Sequence, residues 1–428
     1  MDRRDFLNAA LPAAGAAAVG MGTPSGAYGA AGAPPQEELP PAVASLGSMK
    51  EDEPPPISDE ERWARIARAQ RLMAAEGMDG IVMLGGTAMR YFADVSWGRS
   101  ERIFAMVIPR EGELAWICPA FERERALEQI RFGEDVRVWQ EHESPYALIA
   151  SILADRGLRT GRLGLEETTY YHVADGLQED APAVEVTSAD GVTRRCRGVK
   201  SAAEIALMRH ANQVTIRVYE AVFSSLREEM TQRDLGDLIS SAYRRLGYSG
   251  GALCLFGENS AYPHGTENDQ PLREGMVVLV DGGTRAGGYA SDITRTAVYG
   301  DPTVEQRRVW TLVKEAQSAA LRAAGPGVSA GEVDRAAREV ITRGGYGPGY
   351  EYFTHRLGHG IGMDGHEWYY LVQGSEVPLE AGMTFSNEPG IYIYGSFGVR
   401  LEDIMVITAE GAELLTEQAA SPTHPFGG

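Results

Sequence analysis

The chain has 428 residues, enough for two or three domains of ordinary size around sizeable cores. Hydrophobic residues make up 43% and charged residues 23%, the balance of a soluble globular protein. With 40 basic and 60 acidic residues the formal charge is −20, which repels phosphate backbones and argues against nucleic acid as a partner. Three cysteines, Cys118, Cys196 and Cys254, form neither a CxxC pair nor a zinc cluster. No run approaches the ~20 apolar residues of a membrane span.

The chain opens Met1-Asp-Arg-Arg-Asp-Phe-Leu7, followed by an Ala/Gly-rich stretch and small residues around Ala27 to Ala31. This resembles a twin-arginine export signal, carried by Arg3, Arg4, Phe6 and Leu7. Residues 1–30 are therefore expected to direct export of a folded, periplasmic or secreted protein. Residues 31–57 are rich in Pro, Glu and Ala, and their composition predicts a disordered linker.

From Asp59 the pattern turns periodic. Residues 59–76 read as an amphipathic helix ending near Gly77, and Gly80-Ile-Val-Met-Leu84 reads as a strand. Further strands are expected at 104–108, 114–117 and 162–165, with helices near 120–130 and 145–156. Residues 58–197 thus form an α/β domain without a nucleotide-binding glycine fingerprint. A second, α+β domain spans 198–428. Ser201-x-x-Glu204 and Thr303-x-x-Gln306 are capping boxes that open long helices. Shorter helices follow at about 231–246 and before Gly344-Gly345. Pro271-Leu-x-x-Gly275-Met276 recurs as Pro378-Leu-x-x-Gly382-Met383, an offset of 107 that also relates Asp281 to Glu388. Helix pair, strands, helix pair, strands, with this echo, predicts an internal duplication with pseudo-two-fold symmetry.

The acids of the second domain are the informative ones. Val277 to Thr296 reads as a hairpin turning about Ala286-Gly287, in which opposed indices sum to 573 and Asp281 faces Asp292. Phe385 to Val406 reads as a second hairpin turning about Gly395, with Glu388 facing Glu402. Facing carboxylates repel, and a cation between them resolves the conflict. Between the hairpins, His355, His359 and His366 fall within twelve positions of a glycine-rich segment. Four carboxylates and one imidazole form a mainly hard-oxygen donor set, suited to Mn²⁺, Co²⁺, Fe²⁺ or Zn²⁺.

At these residues the sequence resembles the pita-bread metallopeptidases, the M24 group of methionine aminopeptidase, aminopeptidase P and prolidase. The N-terminal domain resembles the creatinase-type domain of the Xaa-Pro aminopeptidase/prolidase branch. The resemblance implies a creatinase/aminopeptidase catalytic fold and two divalent ions, Mn²⁺ first among them, held by Asp281, Asp292, His359, Glu388 and Glu402. It implies ions roughly 3.5–4 Å apart bridged by Asp292 and Glu402, with Glu388 as general base toward a metal-bridging water. His264 and His366 would act on the scissile amide, and His264, His355, His366 and Arg400 would bind substrate. Arg400 could instead neutralise Glu402. Gly365 stands where the branch has Ile or Val.

The implied substrate is a short peptide with proline second, and the implied assembly a homodimer. In this branch N-domain residues reach a partner's active site, which brings Trp97 and Arg99 into view, with core packing as the alternative for both. A non-peptidase enzyme on the same fold is the rival reading: a small amide or amidino hydrolase, or a metal-dependent lyase. Creatinase-like relatives have lost metal ligands, whereas all five positions match here. A dead-site binding module is opposed by the same intact set.

Overall fold

The computed structural model describes residues 38–426, so the expected export signal lies outside the described residues. The segment 39–57, expected to be a disordered linker, is instead ordered. It forms a short helix α1 (Pro41–Ala44) and one 3-10 turn at Lys50–Asp52. Val43 and Leu46 are buried among Val214, Val218, Ile239 and Tyr243 of the catalytic domain. Met49 N–H donates to Leu246 O at 3.0 Å, and Glu53 accepts from the Gly287 N–H at 2.8 Å. Proline-rich composition marked this strap as unable to order by itself. Its two apolar side chains order on a surface that another part of the chain supplies.

The first domain runs α2 (Asp59–Glu76), β1 (Gly80–Leu84), α3 (Thr87–Ala93), β2 (Ala105–Pro109), β3 (Ala115–Pro119), α4 (Arg123–Leu127), β4 (Asp135–Trp139), α5 (Pro145–Asp155), β5 (Gly161–Leu165), α6 (Tyr171–Asp180), β6 (Val184–Ser188) and α7 (Asp190–Gly198). The sheet order is β4-β3-β2-β1-β5-β6, mixed in direction. Its strands β1, β2 and β3 are buried and apolar on both faces because helices cover both. Ile81 and Met83 point toward α2, α3 and α7, while Val82 and Leu84 meet α5 and α6. Ser58 caps α2 and Gly77, at φ 64°, ends it.

The second domain runs α8 (Ala202–Phe223), α9 (Gln232–Arg245), β7 (Gly250–Phe256), β8 (Val277–Ala286), β9 (Tyr289–Ala290), β10 (Ile293–Val298), α10 (Val304–Ala323), α11 (Ala330–Arg343), β11 (Gly358–Gly360), β12 (Glu367–Leu371), β13 (Thr384–Asn387), β14 (Gly390–Ile393), β15 (Phe397–Arg400), β16 (Asp403–Ile407) and β17 (Ala412–Leu414). One sheet is ordered β10-β8-β7, the other β12-β11-β13-β16-β17, and β14 and β15 pair separately. Helices α8 and α9 pack on the first sheet, α10 and α11 on the second.

The duplication is visible bond by bond. Thr231, the N-cap of α9, bridges Pro271, and Ser329, the N-cap of α11, bridges Pro378. Leu272 N–H donates to Met230 O at 2.8 Å, as Leu379 N–H does to Val328 O at 2.9 Å. The repeated Pro-Leu-x-x-Gly-Met is thus the turn that delivers each half's first carboxylate-bearing strand.

The first hairpin departs from its expected register. Ile293 pairs with Gly282 and Arg285 with Ala290, so opposed indices sum to 575 and not 573. The turn residues are Gly287 and Gly288, at φ 54° and 93°, and two positive φ values there favour two glycines. Asp281 consequently faces Thr294, not Asp292. A shift of two keeps every side chain on its face, so the two aspartates remain diagonal neighbours. In the second half Asn387 pairs with Asp403 and Gly390 with Arg400. Glu388 and Glu402 occupy the break between those two ladders.

Candidate metal centre

The five expected ligands converge from both halves. Ligand atoms of Asp281, Asp292 and Glu402 lie within 4.8 Å of one another, as do those of His359, Glu388 and Glu402, and those of Asp292, His359 and His366. Glu402 therefore belongs to two of the three groups, and so does Asp292. His359 Nδ1 lies 3.0 Å from the Gly360 carbonyl, which can only accept, so Nδ1 carries the proton. Its Nε2 lone pair then faces Glu388 Oε1 at 3.3 Å and Asp292 Oδ2 at 3.9 Å. A lone pair aimed at carboxylates has no attractive partner among them. Divalent cations fit this donor set.

Electrostatics divides the acids. Burial pushes Asp292 and Glu402 well above the carboxylate range, reinforced by their acidic neighbours. Burial also raises Glu388 to about 7, against the opposing Arg400 charge. Asp281 is the exception. Burial works against its ionisation, but Arg400 Nη2 at 2.6 Å holds its pKa below the ordinary value. Thr294 Oγ1 lies 2.9 Å from Asp281 and 2.7 Å from Glu402, linking an acid of each half. Ser386 donates to Glu388 at 2.9 Å and accepts from the His359 N–H at 3.0 Å. Thr294 and Ser386 carried no sequence signal beyond their positions next to ligands on the strands.

The remaining histidines separate into two environments. His366 is exposed, stacked on His359 with ring centroids 3.7 Å apart, and its Nδ1 is 3.3 Å from Arg356 Nη2. His264 is exposed on the loop after β7. His355, expected to bind substrate, has both nitrogens engaged inside the protein. Its Nδ1–H donates to Arg356 O at 2.8 Å and its Nε2 accepts from Tyr392 OH at 2.8 Å. The structure thus gives His355 a supporting place behind the site.

Arg400 is likewise buried and committed. It donates to Asp281, to Thr294 at 3.1 Å, to Pro263 O at 3.0 Å and to Tyr392 OH at 2.9 Å. It pairs with Asp281 rather than Glu402, and four of its five N–H groups are engaged within the protein. Within the chain, Trp97 stacks on Phe104 at 4.1 Å, and Arg99 bonds Thr168 and Glu166.

A two-domain protein with a duplicated catalytic half and five convergent ligands defines a creatinase-type metallopeptidase architecture. Residues 206–409 match metallopeptidase family M24 and residues 65–199 match the creatinase/prolidase N-terminal domain. A probable dipeptidase PepE of Mycobacterium tuberculosis is 37% identical over 368 residues, which cover 83% of this chain and 94% of the relative. The Xaa-Pro dipeptidase of Lactobacillus helveticus is 35% identical, covering 76% and 89%. Among solved structures, the dipeptidase PepE of Mycobacterium ulcerans superposes with a TM-score of 0.80 at 32% identity, covering 87% of this chain and all of that one. The prolidase of Thermococcus sibiricus gives 0.75 at 31%, covering 82% and 96%. The chain belongs to metallopeptidase family M24, in its prolidase branch.

Proposed function

We propose that this metallopeptidase hydrolyses the bond before proline in short Xaa-Pro peptides, using two divalent ions held by Asp281, Asp292, His359, Glu388 and Glu402. The observation that carries the ion pair is Glu402, which lies both in the Asp281–Asp292 group and in the His359–Glu388 group. Bound there, the ions would supply Lewis acidity, lowering the pKa of water and polarising the scissile carbonyl. Mn²⁺ is the first choice for so oxygen-rich a set.

The chain's own side chains supply the proton chemistry. Glu388, whose carboxylate lies beside His359 and Glu402, is placed to accept a proton from water and return it to the leaving nitrogen. Ser386 orients that carboxylate. His366 and His264, on exposed loops beside the ligands, are placed to hydrogen-bond the amide and its developing oxyanion. The chain Arg400–Tyr392–His355 keeps Asp281 ionised and the wall of the site rigid. Named relatives that are Xaa-Pro dipeptidases and prolidases support the proline preference.

The test is a peptide panel with Mn²⁺ on the purified protein. Cleavage confined to Xaa-Pro dipeptides identifies prolidase activity, and cleavage of longer Xaa-Pro peptides identifies aminopeptidase P activity. Cleavage of neither refutes the peptide reading in favour of a small-molecule enzyme. Export by the twin-arginine route is a separate part of the proposal. Arg3→Lys with Arg4→Lys should leave the protein in the cytoplasmic fraction, and sedimentation should show a dimer.

A further inference from the structure

The loop carrying His366 is held from outside the catalytic fold. Between β11 and β12 the chain runs Ile361-Gly-Met-Asp364-Gly-His366, and Gly362 and Gly365 leave its backbone little stiffness of its own. Two acids flank the histidine, and the first domain and the junction grip both. Thr87, the first residue of α3, donates to Asp364 Oδ1 at 2.7 Å. Arg197, near the end of α7, reaches Asp364 Oδ2 and Glu367 Oε1 at 2.6 Å each. Lys200, in the junction before α8, donates to Glu367 Oε2 at 2.9 Å. The Asp364 N–H closes the ring on Glu367 Oε1 at 3.2 Å. Burial works against ionisation of Glu367, yet Lys200 and Arg197 hold it at about 2.

Holding the domains together does not require these charges. Apolar side chains already span the junction, with Met89 and Phe92 in one cluster with Leu207, Ile361, Met363 and Ile404. Buried ion pairs add little net stability over apolar packing, because desolvation offsets their attraction. What they do add is direction. Two carboxylates, two residues before and one residue after His366, are each fixed by more than one donor. A Cβ on Gly362 would lie 2.7 Å from Glu367 Oε2 and 2.8 Å from Lys200 Cε, so the loop presses directly on this cluster.

We propose that Asp364 and Glu367, clamped by Thr87, Arg197 and Lys200, are positioning residues for His366, so that the first domain sets how this imidazole meets the reacting amide. The proposal rests on the reading of His366 as a substrate-side group. Side-chain geometry of this kind is worth a great deal in the transition state, where misplacement by about 1 Å costs up to about 100-fold.

The experiment is a double-mutant cycle on the full-length protein loaded with Mn²⁺. Asp364→Ala is the chosen variant because that side chain is 41% exposed and its loss leaves Glu367 paired. It is expected to lower kcat about 10- to 100-fold while KM and bound metal stay within about two-fold. Added to His366→Ala it should cost nothing further, because both remove one function. Multiplying effects, or a loss of metal that accounts for the lost rate, would overturn the proposal. Histidine-selective NMR of the metal-free protein, where no paramagnetic ion broadens the ring signals, gives a readout independent of turnover. In Asp364→Ala the His366 ring signal should lose the ring-current shift of its stack on His359, and an unmoved signal would overturn the clamp. A wild-type protein that cleaves no peptide would defeat the peptidase reading, while the NMR comparison would still decide the positioning.

Discussion

The two strand pairs that present the carboxylates are copies of one device, yet they hold their first acids, Asp281 and Glu388, in opposite ways. In the first, Asp281 lies within a ladder opposite Thr294 and is kept ionised by Arg400. In the second, Glu388 and Glu402 lie in a break between ladders and meet hydroxyls, His359 and, for Glu402, Asp281, with no arginine paired to either among the described residues. Burial therefore pushes these two up while Asp281 stays low. In the metal-free protein, equivalent positions hold one fixed anion, Asp281, and one group near neutrality, Glu388.

Removing the link between the halves should have the largest effect. Glu402→Ala is expected to abolish both bound divalent metal, read by elemental analysis, and Xaa-Pro hydrolysis. Retained activity would break the shared-ligand arrangement. Glu388→Gln should keep the fold and part of the metal while losing about 10²–10⁴ in kcat, the usual range for a general base. Asp281→Asn should not imitate it in the pH profile, because Asp281 does not titrate near neutrality.

Arg400→Met leaves Asp281 buried and unpaired, and should destabilise the metal-free protein by about 3–5 kcal/mol. Thermal unfolding with and without Mn²⁺ checks this, with the ion expected to restore part of the loss. The pH dependence of metal-free stability sharpens the contrast further. Glu388 titrates at about 7 folded and near 4.5 unfolded, so the unfolded state sheds its proton first. Stability present at pH 4.5 is then lost as pH rises through 7, and Mn²⁺ binding over the same range should release protons. Urea unfolding of the chelated protein should show this slope, to which the raised Asp292 and Glu402 add in the same sense, and Glu388→Gln should reduce it without removing it. Smallest of all is Glu53→Ala, which removes the strap's acceptor for the Gly287 N–H, for Tyr248 OH and for Lys50. It should cost about 1 kcal/mol and leave kcat unchanged.

Much of this was legible because side-chain periodicity survives small errors. The first hairpin's register is off by two residues, since the stronger turn signal is Gly287-Gly288. Yet Asp281 and Asp292 stay on one face because the period is also two. The order of the strap was not legible. Val43 and Leu46 are two apolar residues in a proline-rich run, and nothing local tells that a groove beside Tyr243 awaits them. The supporting place of His355 was hidden too, because Tyr392 lies 37 residues away in sequence.

By itself the sequence determined the five candidate donors, the duplicated strands that carry them and the family, since each depends on residue type at short, regular spacing. Only the tertiary structure decided which acid is neutralised and which is left to titrate. Asp281 and Arg400 are 119 residues apart, and Asp364 and Arg197 are 167 apart. A pKa depends on distance and burial through space, and spacing along the chain specifies neither for residues so widely separated.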